Sequence, residues 1–286
     1  MKISIGTANF LKNYSYKNTF LGVKSLKKIF SLLIKKKLNL IDTSFNYDRF
    51  LTSKNFKNLK KFKISTKLAL DKKKIFNLKY FEKVEQILHK KIIKGKIKYF
   101  DTFFIHNFDE LNISEVKQSN RFLNKMKDKG IIKKIGVSFY DKSSMKKLKY
   151  LSNLKIIQVP INVANKQFLS KDVSNYLKKN NIILQARSIF LQGILTDDFE
   201  NIKRKKFIDR KFLTKIDYWC KKNNLTKLKF CINFIKSQKT INEIVVGIEN
   251  TEQLSEIIKV FNEKKIFDYP KNLMSKNKKF IDPRKW

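Results

Sequence analysis

The chain has 286 residues and carries 65 Lys and Arg against 24 Asp and Glu, a formal net charge of +41. Its apolar fraction of 42%, with 25 Phe and 10 Tyr, excludes a disordered chain, which lacks the apolar side chains to offset ordering entropy. Seven Gly, three Pro and two Cys exclude collagen-like, proline-rich and disulfide-stapled architectures and offer no metal cluster.

The chain opens on MKISIGTANF, without the apolar run and small-residue cleavage site of a signal peptide. No segment approaches the ~18 consecutive apolar residues of a membrane span, so the expectation is a cytoplasmic protein with no membrane partner. The first strand is expected at 2–5 (KISI). Leu26, Ile29, Phe30, Leu33 and Ile34 follow at helical spacing, then a strand at 38–42 (LNLID). Further strands are expected at 63–67 (KISTK) and 99–105 (YFDTFFI), with Val84, Ile87 and Leu88 marking a helix between them. The series continues with 134–138 (KIGVS), 155–159 (KIIQV), 182–187 (IILQAR) and 243–247 (EIVVG). Residues 196–206 read as a long polar loop, followed by two helices at about 209–222 and 225–236. Residues 264–286, with Pro and weak periodicity, read as a tail lying over the rest.

Strands alternating with helical segments imply βα units and a parallel sheet. Eight strands over this length predict an α/β fold, a (β/α)8 TIM barrel of one domain spanning 1–286. A doubly wound sheet is the competing topology. It is expected to show a Gly-rich turn after the first strand, and the sequence contains no G-x-G-x-x-G.

In barrels, catalytic groups sit at the C-terminal ends of strands. Those ends carry Asp42 with Tyr47 after it, Lys67, His106 followed by Asn107, Ser138, Gln158 with Asn162 after it, Arg187 with Ser188, and Gly247. Each has a plain structural alternative. Asp42 can cap a turn, Tyr47 can be a loop aromatic, Lys67 is one of many lysines, and Ser138 and Gln158 can satisfy backbone groups. His89, beside Lys90 and Lys91, reads as a helix-surface residue.

The joint pattern is more informative: an acid, a phenol, an amine and an imidazole converge on one mouth. A Tyr hydroxyl, with an ordinary pKa of about 10, is a poor acid at neutral pH. A nearby ammonium is expected to lower that pKa, and a carboxylate to hold the ammonium in place. The product is a general acid able to protonate an alkoxide, a group suited to carbonyl reduction by hydride from a cofactor.

At these residues the sequence resembles the aldo-keto reductases. The similarity runs in order through IGTANF, NLIDTSFNY, ISTKL, DTFFIHN, KKIGVSFY, IQVPIN, QARSIFLQGIL and IVVGIENTEQLSEI. It implies a nicotinamide dinucleotide bound without a Rossmann fold, NADPH with NADH possible, and a small-molecule carbonyl substrate. It puts the catalytic tetrad on Asp42, Tyr47, Lys67 and His106. It implies cofactor contacts from Asp42 as well, carboxamide contacts from Ser138 and Gln158, a nicotinamide contact from Thr7 and a pyrophosphate contact from Ser188. The adenosine end is expected on the loop and helix from Gly247 to Glu256, including Gln253. Phe139 stands where many members have Asn, and Arg187 where an aromatic often stacks on nicotinamide. Gly247 and Gln253, with Glu249 nearby, stand where many members hold Lys and Arg for the 2′-phosphate. The strand-seven form R-S-x-F-L-Q-G resembles a bacterial subgroup often tied to sugar metabolism.

Two other functions fit the sequence. One is a non-catalytic nicotinamide-binding barrel that regulates a partner. The other is a basic nucleic-acid binder. Only six of the 65 basic residues are Arg, the better group for bidentate phosphate and base contacts, and the Lys are spread along the whole chain. Together with the Asn, Ile and Phe content of an AT-rich genome, this points to a solvated surface with no specific nucleic-acid partner. A monomer or weak homo-oligomer is expected.

Overall fold

The strands are short and buried along most of their length on both faces, the pattern of a sheet covered on both sides. In the computed structural model, which describes residues 1–14, 19–56, 59–202, 206–264, 269–270 and 272–286, they close into an eight-stranded parallel barrel in sequence order. The strands are β1 (Lys2–Gly6), β2 (Leu40–Asp42), β3 (Lys63–Leu68), β4 (Phe100–Ile105), β5 (Ile132–Ser138), β6 (Leu154–Pro160), β7 (Ile183–Arg187) and β8 (Glu243–Gly247). All six residues of β4 are buried. The register of β1 with β8 runs from Lys2 beside Glu243 to Gly6 beside Gly247, which sets two glycines side by side at the mouth.

The outer layer holds α1 (Val23–Lys35), α2 (Leu78–Gly95), α3 (Ile113–Asp128), α4 (Lys171–Lys179), the short α5 (Phe199–Ile202), α6 (Arg210–Lys222), α7 (Lys227–Ser237) and α8 (Thr251–Asn262). In α1 the 3.6-residue spacing buries Leu26, Ile29, Phe30 and Leu33, whereas Ile34 lies at the edge of that stripe and is exposed. The interval after β5 departs from the βα pattern. It holds a 3-10 run, Lys142–Tyr150, capped by Asp141, in place of an α-helix. The expected loop at 196–206 contains α5 and is not wholly irregular; residues 203–205 lie outside those described.

Inside the barrel one glycine is required by space. A Cβ on Gly136 of β5 comes within 2.5 Å of the Phe104 ring of β4. The missing side chain lets that fully buried ring lie in the barrel interior beneath the mouth, 5.7 Å from the Lys67 ammonium.

The tail packs on α6 and on the loops that follow β6 and β7. Phe280 is fully buried against Phe212, the Ser275 backbone N–H donates to the Ala164 carbonyl, and Trp286 stacks on Phe207 at 4.4 Å. Residues 265–268 and 271 of the tail are outside those described.

Candidate active site

β3 delivers the buried Lys67 to the C-terminal end of the barrel. Its ammonium donates to Asp42 Oδ2 at 2.5 Å and to Gln158 Oε1 at 3.2 Å. Gln158 Nε2 in turn donates to Asp42 Oδ1 at 2.8 Å and to Gln185 Oε1 at 2.7 Å. Gln185 Nε2 reaches Glu243 Oε2 at 3.1 Å. A polar chain therefore crosses the interior from β3 and β2 through β6 and β7 to β8. Every member is buried, so each depends on its neighbour in place of water.

One cleft at the mouth is lined by Thr7, Asp42, Tyr47, Lys67, His106, Gln158, Ser188, Gly247 and Gln253. Two expected site residues lie elsewhere. Ser138 is fully buried below the cleft, where Arg187 Nε donates to its hydroxyl at 3.3 Å. Glu256 lies outside the cleft, in an adjoining groove that shares Thr196 and Gln253 with it. Several lining residues already have structural partners. The Thr7 hydroxyl donates to Thr43 Oγ1 at 2.8 Å, tying the ends of β1 and β2. Gln253 Oε1 accepts from the Glu249 N–H at 2.7 Å, and the Gln253 N–H donates to the Asn250 side chain, so this residue closes the start of α8. Asn162 Nδ2 donates to the Ser188 carbonyl, and Ser188 itself takes a left-handed φ of 55°.

The electrostatics differ from the expectation in one respect. Burial first, then the Asp42 carboxylate, push the Tyr47 phenol well above its ordinary pKa of 10.0. The cation that opposes the rise is Arg187, where the sequence pointed to Lys67. Tyr47 therefore stays protonated. Burial also pulls the Lys67 ammonium below its ordinary value, against the Asp42 carboxylate that holds it up. His106 is lowered from 6.5 to about 3 by burial, then by Lys67 and Arg187, so its imidazole is neutral at ordinary pH. The corner thus holds a neutral phenol, a neutral imidazole and a self-neutralised ion pair, an arrangement able to hydrogen-bond an oxygen and give it a proton.

A profile of the aldo/keto reductase family matches residues 2–271. The chain belongs to the aldo/keto reductase family. As a member it is an oxidoreductase with a TIM barrel. Among solved structures, this aldo/keto reductase is similar to a thermostable aldo-keto reductase crystallised with the inhibitor epalrestat. The two share 16% identity over 92% of this chain and 90% of that one, with a TM-score of 0.67. The glycerol dehydrogenase of Gluconobacter oxydans is 20% identical over 93% of this chain and 88% of its own, at a TM-score of 0.66. An aldo-keto reductase of Bacillus halodurans in its apo form gives 0.68 at 11% identity, covering 86% and 84%. No curated protein matches the sequence.

Sequence reasoning missed part of this reductase's site. Tyr14 and Tyr140 line the cleft but have no distinguishing sequence pattern. Arg187, found at a strand end but given no role beyond the aromatic it replaces, influences Tyr47, Lys67 and His106. Its signal was its scarcity in a chain whose cations are nearly all Lys.

Proposed function

We propose that the protein reduces an aldehyde or ketone, or oxidises the matching alcohol, with Tyr47 as proton donor and a nicotinamide dinucleotide as hydride carrier. The reading is carried by the gathering of Tyr47, His106 and the Lys67–Asp42 pair at one cleft, beside the bare strand ends Gly6 and Gly247. A Cβ on Gly247 would meet nothing within 4 Å, so the floor there is open backbone on which a flat polar ring can lie. The carrier fits this cleft: Gly247, Ser188 and Gln158 line it, and Gln253 and Glu256 line the groove that continues from it. When bound, the carrier supplies the hydride.

The chain's own residues do the rest. The Tyr47 hydroxyl, kept protonated by burial and Asp42, donates to the carbonyl oxygen and gives up its proton as the alkoxide forms. Neutral His106 orients that oxygen. The Asp42–Lys67 pair positions the floor of the cleft and, through Gln158, locks it to β6 and β7. Ser138 lies beneath the cleft, where its hydroxyl accepts from Arg187 Nε and so ties the carboxamide end of the floor to that guanidinium.

For the carrier we propose NADPH with NADH also accepted. The adjoining groove is lined by Asp198, Glu200, Asp217 and Glu256 against Lys221 and Lys227, and Lys227 is already paired with Asp217 at 2.6 Å. Such a lining gives a 2′-phosphate little selective attraction. The single barrel of 1–286 works in the cytoplasm as a monomer or weak homo-oligomer. In support, among the described residues no helix is long and apolar enough to cross a membrane. The test is a panel of carbonyl compounds with each reduced carrier, followed by the near-ultraviolet absorbance of reduced nicotinamide. Carbonyl-dependent loss of absorbance is expected. Tight carrier binding without turnover on any compound points instead to the regulatory barrel.

A further inference from the structure

Among the described residues Arg187 is a cation that no carboxylate pairs. It lines the same cleft as Tyr47 and His106, yet among the described residues its hydrogen bonds go only to neutral acceptors. Nε donates to Ser138 Oγ at 3.3 Å and Nη2 donates to the Phe139 carbonyl at a long 3.5 Å, leaving Nη1 without an acceptor. Lys67 is the cleft's other cation, fully buried where Arg187 is half-buried, and Asp42 neutralises it. The cleft's remaining carboxylate, Glu249, sits in the loop after β8 and makes no ion pair with Arg187. The reacting corner therefore keeps one uncompensated positive charge.

The guanidinium is also held in place with unusual care. Its carbon lies 3.9 Å from the centre of the Tyr140 ring. On the same ring, at 3.8 Å, lies the guanidinium of Arg284 from the C-terminal tail. Tyr140 is fixed in turn: its N–H donates to Asp109 Oδ2 at 2.7 Å and its carbonyl accepts from Gln167 Nε2 at 2.9 Å. Arg284 is anchored by Asp282 at 2.8 Å and by Asp109 at 3.3 Å. Two of the six arginines of this lysine-rich chain thus stack on one ring at the edge of the cleft. A planar guanidinium stacked on an aromatic face keeps its edge donors free for a carboxylate or phosphate, which a lysine in its place does not do.

We propose that Arg187 is the specificity-determining residue for a carbonyl substrate that carries an anionic group, a carboxylate or a phosphate, and that Arg284 is its positioning residue through Tyr140. The proposal rests on the carbonyl-reductase reading of the same cleft.

The test compares matched substrates at about 0.15 M salt, where the diffuse field of the surface lysines is screened beyond roughly 8 Å. Benzaldehyde against the carboxybenzaldehydes reads a carboxylate; glyceraldehyde against glyceraldehyde phosphate reads a phosphate. The expected result is that the wild type favours an anionic member by ~10–100-fold in kcat/KM, the size of a charge-assisted contact. Arg187→Met should bring that ratio close to one, and whichever pair collapses identifies the anion. Arg284→Met should raise KM for the anionic member several-fold with kcat and Tm retained, and Arg284→Lys should not restore it. Replacing the exposed Lys36 and Lys37 by Gln should leave the ratio intact. A ratio unchanged by Arg187→Met, or a loss of NADPH affinity in its place, overturns the proposal. A second readout is benzoate binding to the NADPH-bound protein by intrinsic fluorescence, with Arg187→Met at least ~10-fold weaker. If no carbonyl is turned over but benzoate binding still depends on Arg187, the reductase reading falls and the anion site stands.

Discussion

Asp42→Asn removes one charge and no volume from the most buried ion pair of the site. The Lys67 and Asp42 side chains are 3% and 5% exposed, so the ammonium left behind has only neutral acceptors, Gln158 Oε1 at 3.2 Å and the one amide oxygen of the new Asn. Breaking a buried pair by deleting one partner costs about 3–5 kcal/mol. Linkage sets a ceiling on that cost, because the lysine can release its proton. From a reference pKa of about 10.4, neutralising it at pH ~7 costs about 3.4 × 1.36, or ~4.6 kcal/mol. At pH ~9 the same escape costs only about 1.9 kcal/mol. The sign follows from proton counts. Burial already lowers the Lys67 pKa in the native state, and without Asp42 it falls further. Between that value and the unfolded one, the unfolded chain binds more protons, so the variant gains stability as pH rises. The Asn amide meets the ammonium with its one oxygen only by turning Nδ2 toward Gln158 Nε2, donor against donor, whereas the neutral amine accepts from Nδ2 and removes that conflict. Denaturant unfolding of both proteins should show a deficit of about 3–5 kcal/mol near pH 7 that shrinks to below ~2 near pH 9. A deficit under ~1 kcal/mol near pH 7, or one that grows with pH, refutes the view of this pair as a buried, mutually dependent unit.

Three further outcomes follow from the site. Gly136→Ala places a methyl 2.5 Å from the Phe104 ring, so overpacking should lower stability by about 1–3 kcal/mol, with turnover reduced because that ring lies beside Lys67; a wild-type Tm and activity would show that the interior has room. His106, held near pKa 3, is neutral above about pH 5, so kcat/KM should show no break near 6.5. Its native pKa lies below the unfolded 6.5, so it costs stability progressively as pH falls from 6.5 toward 3, and His106→Gln should flatten that part of the stability profile. Titration with NADPH and NADH should differ by less than about tenfold, or ~1.4 kcal/mol; a hundredfold preference would place a phosphate clamp outside the acidic groove.

The strands were legible because a parallel barrel buries both faces, so YFDTFFI and KIIQV stand out from the lysine-rich background as apolar runs. The crossovers were less so. Residues 142–150 carry apolar side chains at helical spacing yet form a 3-10 run, and nothing in a single sequence separates the two. Asp42, Tyr47, Lys67 and His106 were found because strand ends are functional positions in this fold. The direction of the Tyr47 pKa was not, since it is set first by burial and then by Asp42, with Arg187 opposing. Lys67 spends its charge on Asp42, a distance of 2.5 Å that no spacing in sequence encodes. The contact between Arg187, Tyr140 and Arg284 joins residues nearly one hundred and fifty positions apart and was equally invisible.

The central claim is that the Tyr47 hydroxyl delivers the proton, and Tyr47→Phe tests it most directly. The substitution removes one oxygen from a half-buried ring and no packing, so Tm and NADPH affinity should stay within error of the wild type. Single-turnover reduction of the best carbonyl substrate should slow by ~10²–10⁴-fold, the usual contribution of a positioned general acid. Reduction by Tyr47→Phe at the wild-type rate, with the carrier bound normally, would contradict the account.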